Sequence, residues 1–159
     1  MNLSPKVGPL VAELLSGLTG VFLIYIHLHG LSFKGIEDLP SGGIILLAVL
    51  AWISGTFFDV VRNLLFESVL DYITDEELNW SFFFKGDRER LANLESYFWS
   101  FYLLDADMMI AILLATLLSI FIPHGFLDLG WRFGLVSVAL VFGFDAISLR
   151  KEIKGLISL

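Results

Sequence analysis

Five polar residues follow a long charge-free run in the first half of the chain. Residues 42–58 carry no formal charge, and the polar residues after them recur at spacings of three and four: Asp59, Arg62, Asn63, Glu67 and Asp71. On a helix, such spacings place side chains on one face. Charges at the end of a membrane-crossing run are costly, and they usually face other helices or water. The pattern predicts a membrane helix that continues unbroken as a helix with one polar face.

Acidic residues from the other apolar stretches are expected at the same depth, in the inner leaflet. The predicted intramembrane polar cluster consists of Glu13, Asp59, Arg62, Asn63, Asp105, Asp107 and Asp145. Intramembrane carboxylates often mark the path of a cation or a proton, which favours a site for a cation, a proton or a polar substrate. Two alternatives stay open at this stage: a purely structural polar cluster near the membrane surface, and a cluster that holds a partner protein.

Arg62 is the only base expected within this layer, and depth predicts its partner. The charge-free runs end at Phe58 in the second apolar stretch and begin at Met108 in the third. About one turn further towards the cytoplasm lie Arg62 and Asp105, so these two residues are predicted to pair. An arginine can hold a carboxylate through a two-point fork that lysine cannot copy. Asp59, one turn from Arg62 on the same helix, is the rival partner.

Composition and length define the elements that must position these residues. Hydrophobic residues make up 57% of the chain and the mean hydropathy is +0.80, whereas soluble domains are about 45–50% apolar. Four stretches reach the roughly 20 residues that a membrane helix needs. The sequence therefore predicts an all-α membrane protein of one domain, residues 1–159. Its four transmembrane helices are expected at about residues 9–31, 42–65, 98–122 and 129–149.

The second and third helices are predicted to extend into the cytoplasm, with a short interfacial helix in the loop at about residues 72–90. Thr74 and Glu77 have the spacing of a capping box that would begin this helix. The loop is predicted to bind a partner through Trp80, Phe82, Phe83, Phe84, Arg88 and Arg90. On the third helix, a heptad-like seam is predicted along Leu91, Leu94, Phe98, Phe101, Asp105, Met108, Ile112 and Ala115.

Small residues predict where helices approach each other closely. Ser16 and Gly20 lie four residues apart in the first apolar stretch, and Ala51 and Gly55 do so in the second. Small residues at this spacing let the backbones of two membrane helices come into contact. Each pair is therefore predicted to lie at a helix–helix interface.

The distribution of lysine and arginine predicts the orientation, because basic residues accumulate on the cytoplasmic side. With four spans, one side carries Lys6, Arg62, Lys85, Arg88, Arg90, Arg150, Lys151 and Lys154, and the other carries Lys34 and Arg132. Both termini are thus predicted in the cytoplasm, in a plasma or inner membrane. A cysteine introduced at position 35 should react with an external reagent, and one at position 86 should not. The reverse labelling pattern would contradict this orientation.

Several function classes are disfavoured by the residues themselves. The net charge of −7 offers no basic surface for nucleic acid. The absence of cysteine excludes disulfides and thiolate chemistry. His27, His29 and His124 are interpreted as ordinary interfacial residues, and no metal or other cofactor is expected. Residues 52–55, Trp-Ile-Ser-Gly, only partly resemble an intramembrane serine-protease motif, and Asp59 with Asp145 loosely resembles an intramembrane aspartic-protease pair.

Three functional hypotheses follow, and the first two are non-enzymatic. The first is a small homo-oligomeric cation channel or transporter that uses the inner-leaflet acids, with a pore between protomers. The second is a membrane sensor or anchor subunit, for example in stress response or phage defence, that binds a soluble cytoplasmic partner through the hairpin of helices 2 and 3. The third is a membrane enzyme acting on lipid or peptide, for which the chain offers no convincing motif. All three hypotheses place the protein in a lipid bilayer.

Overall fold

Four helices build the part of the chain that is described by the computed structural model, which comprises residues 7–30, 40–66, 68–69, 100–122 and 125–157. They are α1 (Val7–His29), α2 (Ser41–Val61), α3 (Ser100–Phe121) and α4 (Leu129–Ile157). Each is long and apolar enough to cross a membrane. For the described residues, the prediction of an all-helical protein with four such helices is confirmed. The predicted interfacial helix and the extension of the third helix lie in residues 70–99, outside the described residues.

Two of the helix ends that differ from the predicted ones have a local explanation. Gly30, with φ of 69°, follows α1 directly and ends it two residues before the predicted boundary, since a glycine readily adopts this conformation after a helix. At the other end of the chain, α4 runs to Ile157 rather than to residue 149. Its basic end is helical because Arg150 and Ile153 continue the buried face that begins at Ala139.

The central helix of the bundle is α3. It packs against α1 on one side and against α4 on another, and α2 packs mainly on α1 and reaches α3 near Phe58. Ala12, Tyr102, Ala106 and Ala146 belong to one core cluster that joins α1, α3 and α4. The outward faces of α2 and α4 are largely apolar, as helices that face lipid require.

The predicted seam along α3 is only partly correct. Asp105, Ile112 and Ala115 are buried, but Phe101 is 54% exposed and Met108 is half-buried. Residues between these positions, such as Ala106, are also buried. The reason is that α3 contacts neighbours on more than one side, so its buried surface is wider than one heptad stripe.

Contacts at both ends show that α1 and α3 run in the same direction. Gly8 lies against Ser100, where both helices begin. At the other end, the His27 ring contacts the carbonyl of Ile122, where both helices finish. The two helices therefore lie side by side along their whole length.

The last helix, α4, runs opposite to α3. Gly143 lies against Met109, and Arg150 donates to the Tyr102 hydroxyl at 3.5 Å. The beginning of α1 and the end of α4 thus lie at one end of the bundle, which we call the proximal end; the opposite end is the distal end. A chain that crosses a membrane an even number of times has this arrangement. Which side of the membrane each end of the bundle faces stays a prediction.

The backbones of α1 and α2 are in direct contact where they cross. A Cβ on Gly17 would overlap the carbonyl of Ala51, and a Cβ on Gly55 would overlap the carbonyl of Glu13. The predicted role of Ala51 and Gly55 in a close helix contact is confirmed. On α1, Gly17 is at the backbone contact, Gly20 of the predicted pair lies against the Phe58 ring of α2, and Ser16 is buried.

Candidate functional site

A group of four side chains, which we call the arginine network, joins α2 to α3 near the proximal end. It consists of Asp59, Arg62, Asn63 and Asp107. Arg62 donates from Nη1 to Asp107 Oδ1 at 3.2 Å, and from Nη2 to Asp59 Oδ1 and to Asn63 Oδ1, the latter at 3.1 Å. Asn63 Nδ2 donates to Asp59 Oδ2 at 3.2 Å. The side chains of Arg62 and Asp107 are 4% and 1% exposed, so this ion pair is buried.

The helix geometry changes at the arginine itself. The last regular residue of α2 is Val61, and residues Arg62–Phe66 form a π-helical turn. The sequence predicted a helix that continues without a break, and the helix does continue here, with a local change from α-helical to π-helical geometry. At this wider turn, neighbouring side chains point to different sides. Arg62 is buried against α3, whereas Asn63 beside it is exposed. Single π-helical turns inside α-helices occur frequently at functional sites.

Arg62 pairs with Asp107 and Asp59, and the predicted pairing with Asp105 is wrong. The predicted depth and the predicted partner helix of Arg62 were correct. Asp105 and Asp107 are two residues apart, however, and therefore point to different sides of α3. Asp107 lies on the side of α3 that meets Phe58 and Arg62 of α2. Asp105 lies on the side that meets α4.

Asp105 meets a second carboxyl group, and we call the two the acid pair. Asp145, on α4, is an acidic neighbour of Asp105, and the two carboxylates interact electrostatically. The contacts of Met109 with Gly143 and of Tyr102 with Arg150 flank the pair on either side and hold the two helices in register. The residue Asp105 is only 8% exposed, whereas Asp145 opens to the surface of the bundle.

The structure thus divides the predicted cluster into two groups on opposite sides of α3. Glu13 is half-buried on α1, and within the described part of the chain its carboxylate joins neither group. Glu67, Asp71 and the predicted partner-binding residues between positions 80 and 90 lie outside the described residues. Asp59 and Asp145 do not come together, because α2 and α4 pack on different sides of α3. The comparison with an aspartic-protease pair built on these two residues is therefore wrong.

Three residues with buried polar contacts were missed at the sequence level. Tyr102 was not singled out and Arg150 was counted only among the basic residues that predict the orientation, but both are buried and contact each other. A signal for Arg150 was present, since Ala139, Gly143 and Ala146 precede it at spacings of four, three and four. His27 is also buried, at 1% exposure, and its buried contacts were not predicted.

The fold and the site together define a small bundle of four helices that are long and apolar enough to span a membrane, with charged groups buried near its proximal end. Among the described residues, no three His, Asp or Glu side chains gather as a metal site would require. Comparison of the chain with protein-family models, with curated proteins and with solved structures found no match.

Proposed function

We propose that this protein is a small integral membrane protein that moves a cation, in the simplest case a proton, across or into the bilayer through the acid pair. The observation that carries this proposal is the electrostatic interaction of the buried Asp105 with Asp145 of the neighbouring helix. Two negative charges at this range repel each other, and the repulsion is relieved when a cation or a shared proton lies between them.

The different exposure of the two aspartates supports a transfer step. Asp145 is open at the surface of the bundle, and Asp105 is buried directly behind it. A cation that reaches Asp145 would therefore have a second carboxylate ahead of it in the protein interior. On the other side of α3, the guanidinium of Arg62 contacts both Asp59 and Asp107. Those two acids already have a cation, which leaves the acid pair as the better candidate for a mobile one.

A path between protomers fits the packing better than one within a protomer. The contacts of Gly17 and Gly55 bring α1 and α2 together with their backbones touching, so no passage lies between those helices. Asp145 and its neighbour Phe144, which is 71% exposed, instead face outward from α4. A second copy of the chain packed on α4 would cover this charge, which is costly to leave facing lipid. We therefore propose a homo-oligomer.

Liposomes that contain only this protein should show a cation flux driven by a membrane potential. A proton-sensitive dye inside the vesicles reports the flux, and the same experiment with K⁺ or Na⁺ identifies the ion. Asp105→Asn and Asp145→Asn each remove one of the two charges, so each variant is expected to reduce the flux to the level of protein-free liposomes.

Glu152→Gln is the matched control, because Glu152 is an exposed acid on the same helix as Asp145. Its flux should equal that of the unmodified protein. Equal flux in all four proteins would show that the acid pair has no part in transport. If the unmodified protein shows no flux at all although its melting curve shows that it is folded, the channel or transporter function is excluded.

The second candidate function is a sensor or anchor subunit, and the π-helical turn at Arg62–Phe66 favours it. This turn lies on the part of the chain that leads towards the loop at about residues 72–90, which was predicted to bind a soluble partner. Buried ion pairs are best attested as devices that select one structural state. The arginine network would then hold α2 on α3 in one state and release it when the partner binds. Replacing Trp80 and Arg88 together should abolish co-purification of the partner without lowering the melting temperature. Retention of the same partner by this variant would contradict the function.

A further inference from the structure

His27 joins the end of α1 to the connection between α3 and α4 at the distal end. Its ring nitrogen Nε2 lies 3.0 Å from the carbonyl oxygen of Ile122, and its Nδ1 lies 3.3 Å from the backbone nitrogen of Leu127. The main-chain carbonyl of His27 accepts from the Phe126 N–H at 2.7 Å. We call these four residues the histidine latch. The ring is buried, with the residue 1% exposed, so these contacts occur away from solvent.

The hydrogen bonds determine the protonation state of the ring. The backbone N–H of Leu127 can only donate, so Nδ1 must present its lone pair. The carbonyl of Ile122 can only accept, so Nε2 must carry the hydrogen. The latch therefore requires a neutral imidazole of one tautomer. A proton added to Nδ1 would place two N–H groups against each other and break the bond to Leu127.

The ring has little freedom to avoid this conflict. Gly125 lies against it so closely that a Cβ at position 125 would overlap the ring atoms. A charged ring that stayed in place would have to be paired, because a buried charge without a partner is strongly unfavourable.

The charged groups on the described segments around His27 have other partners. Asp128 accepts from the Trp131 N–H at 3.0 Å, and Arg132 donates to the Ser119 carbonyl at 2.8 Å. On α1, the exposed His29 ring lies 4.6 Å from the Tyr25 ring, centroid to centroid, in a stacked pair. Among the described residues, none of these side chains is in contact with His27. Within the described part of the chain, a protonated ring would therefore have no counter-charge.

We propose that the histidine latch is a pH-sensitive switch at the distal end. With a neutral ring the latch is closed and holds Phe126 and Leu127 on the end of α1. Protonation of the ring breaks the bond to Leu127 and releases these residues. This inference does not depend on the proposed transport function, because it concerns a structural transition that is measured without any flux.

The test uses a chain in which His27 is the only histidine. The sequence has three histidines, so His29→Gln with His124→Gln leaves only the latch residue. Hydrogen exchange of the Phe126 and Leu127 amides is measured as protection factors at about pH 7.5 and about pH 5, on either side of the usual titration range of histidine. Protection should fall about tenfold or more at the lower pH, since a buried donor loses its acceptor. The unmodified protein should behave in the same way.

The variant His27→Gln, with the other two histidines retained, should show no such fall. An undiminished fall in this variant would overturn the switch, and so would constant protection in the chain with only His27. The ¹⁵N spectrum of that chain provides a second measurement in case His27→Gln does not fold. At about pH 7.5 we expect Nδ1 without a proton and Nε2 with one. A proton on Nδ1 at that pH would equally overturn the proposal.

Discussion

Replacing Arg62 by alanine is expected to lower the free energy of unfolding by about 3–5 kcal/mol, because it removes one member of a buried ion pair. The guanidinium and the Asp107 carboxylate are 4% and 1% exposed. Without the guanidinium, the Asp107 charge stays in the core without that cation, and α2 loses its polar contact with α3. Unfolding in mild detergent, followed by circular dichroism, measures the effect.

A double-mutant cycle separates this pair from its surroundings. Asp107→Ala alone should cost a similar amount, and the double variant should cost much less than the sum of the two. Additive costs would show that the two residues do not act as a pair. Arg62→Lys is the sharper variant, because lysine has the charge but cannot contact Asp107 and Asp59 together through a planar fork. It should recover only part of the stability lost in Arg62→Ala.

Gly55→Ala is expected to have the second large effect, although it adds only one methyl group. The new Cβ would overlap the backbone carbonyl of Glu13, and a backbone cannot move aside as the end of a side chain can. The helices α1 and α2 would have to separate. Overpacking typically costs about 1–3 kcal/mol and occasionally more, and this backbone contact should lie at the upper end. The gain of up to about 1 kcal/mol in helix propensity offsets only part of the cost.

Gly134→Ala in α4 is the matched control. A Cβ at position 134 would meet no atom within 4 Å, so this variant should unfold at the same temperature as the unmodified protein or slightly higher. Gly17→Ala should resemble Gly55→Ala, because it meets the carbonyl of Ala51 in the same interface. If Gly55→Ala were as stable as Gly134→Ala, the direct backbone contact between α1 and α2 would be wrong.

The sequence by itself determined the number of helices, their type and their approximate ends. Four apolar runs of sufficient length can bury their backbone polar groups within a bilayer only as helices or as a closed barrel. The runs here are too long for barrel strands, which leaves helices. The boundary near Gly30 follows from local chemistry, since glycine is the common residue after a helix end. Depth was also predictable at 1.5 Å per residue, and it correctly assigned Arg62 a partner on the third helix.

Only the tertiary structure decided which side of each helix meets which neighbour. Each residue turns a helix by about 100°, so Asp105 and Asp107 have similar depth but point to different partners. Which helix stands on each side depends on packing, here on the contacts of Gly17, Gly55 and Gly143 with their neighbours. Those contacts place α2 beside Asp107 and α4 beside Asp105. The arginine network and the acid pair are therefore products of helix packing, and no pattern within a single helix could have separated them.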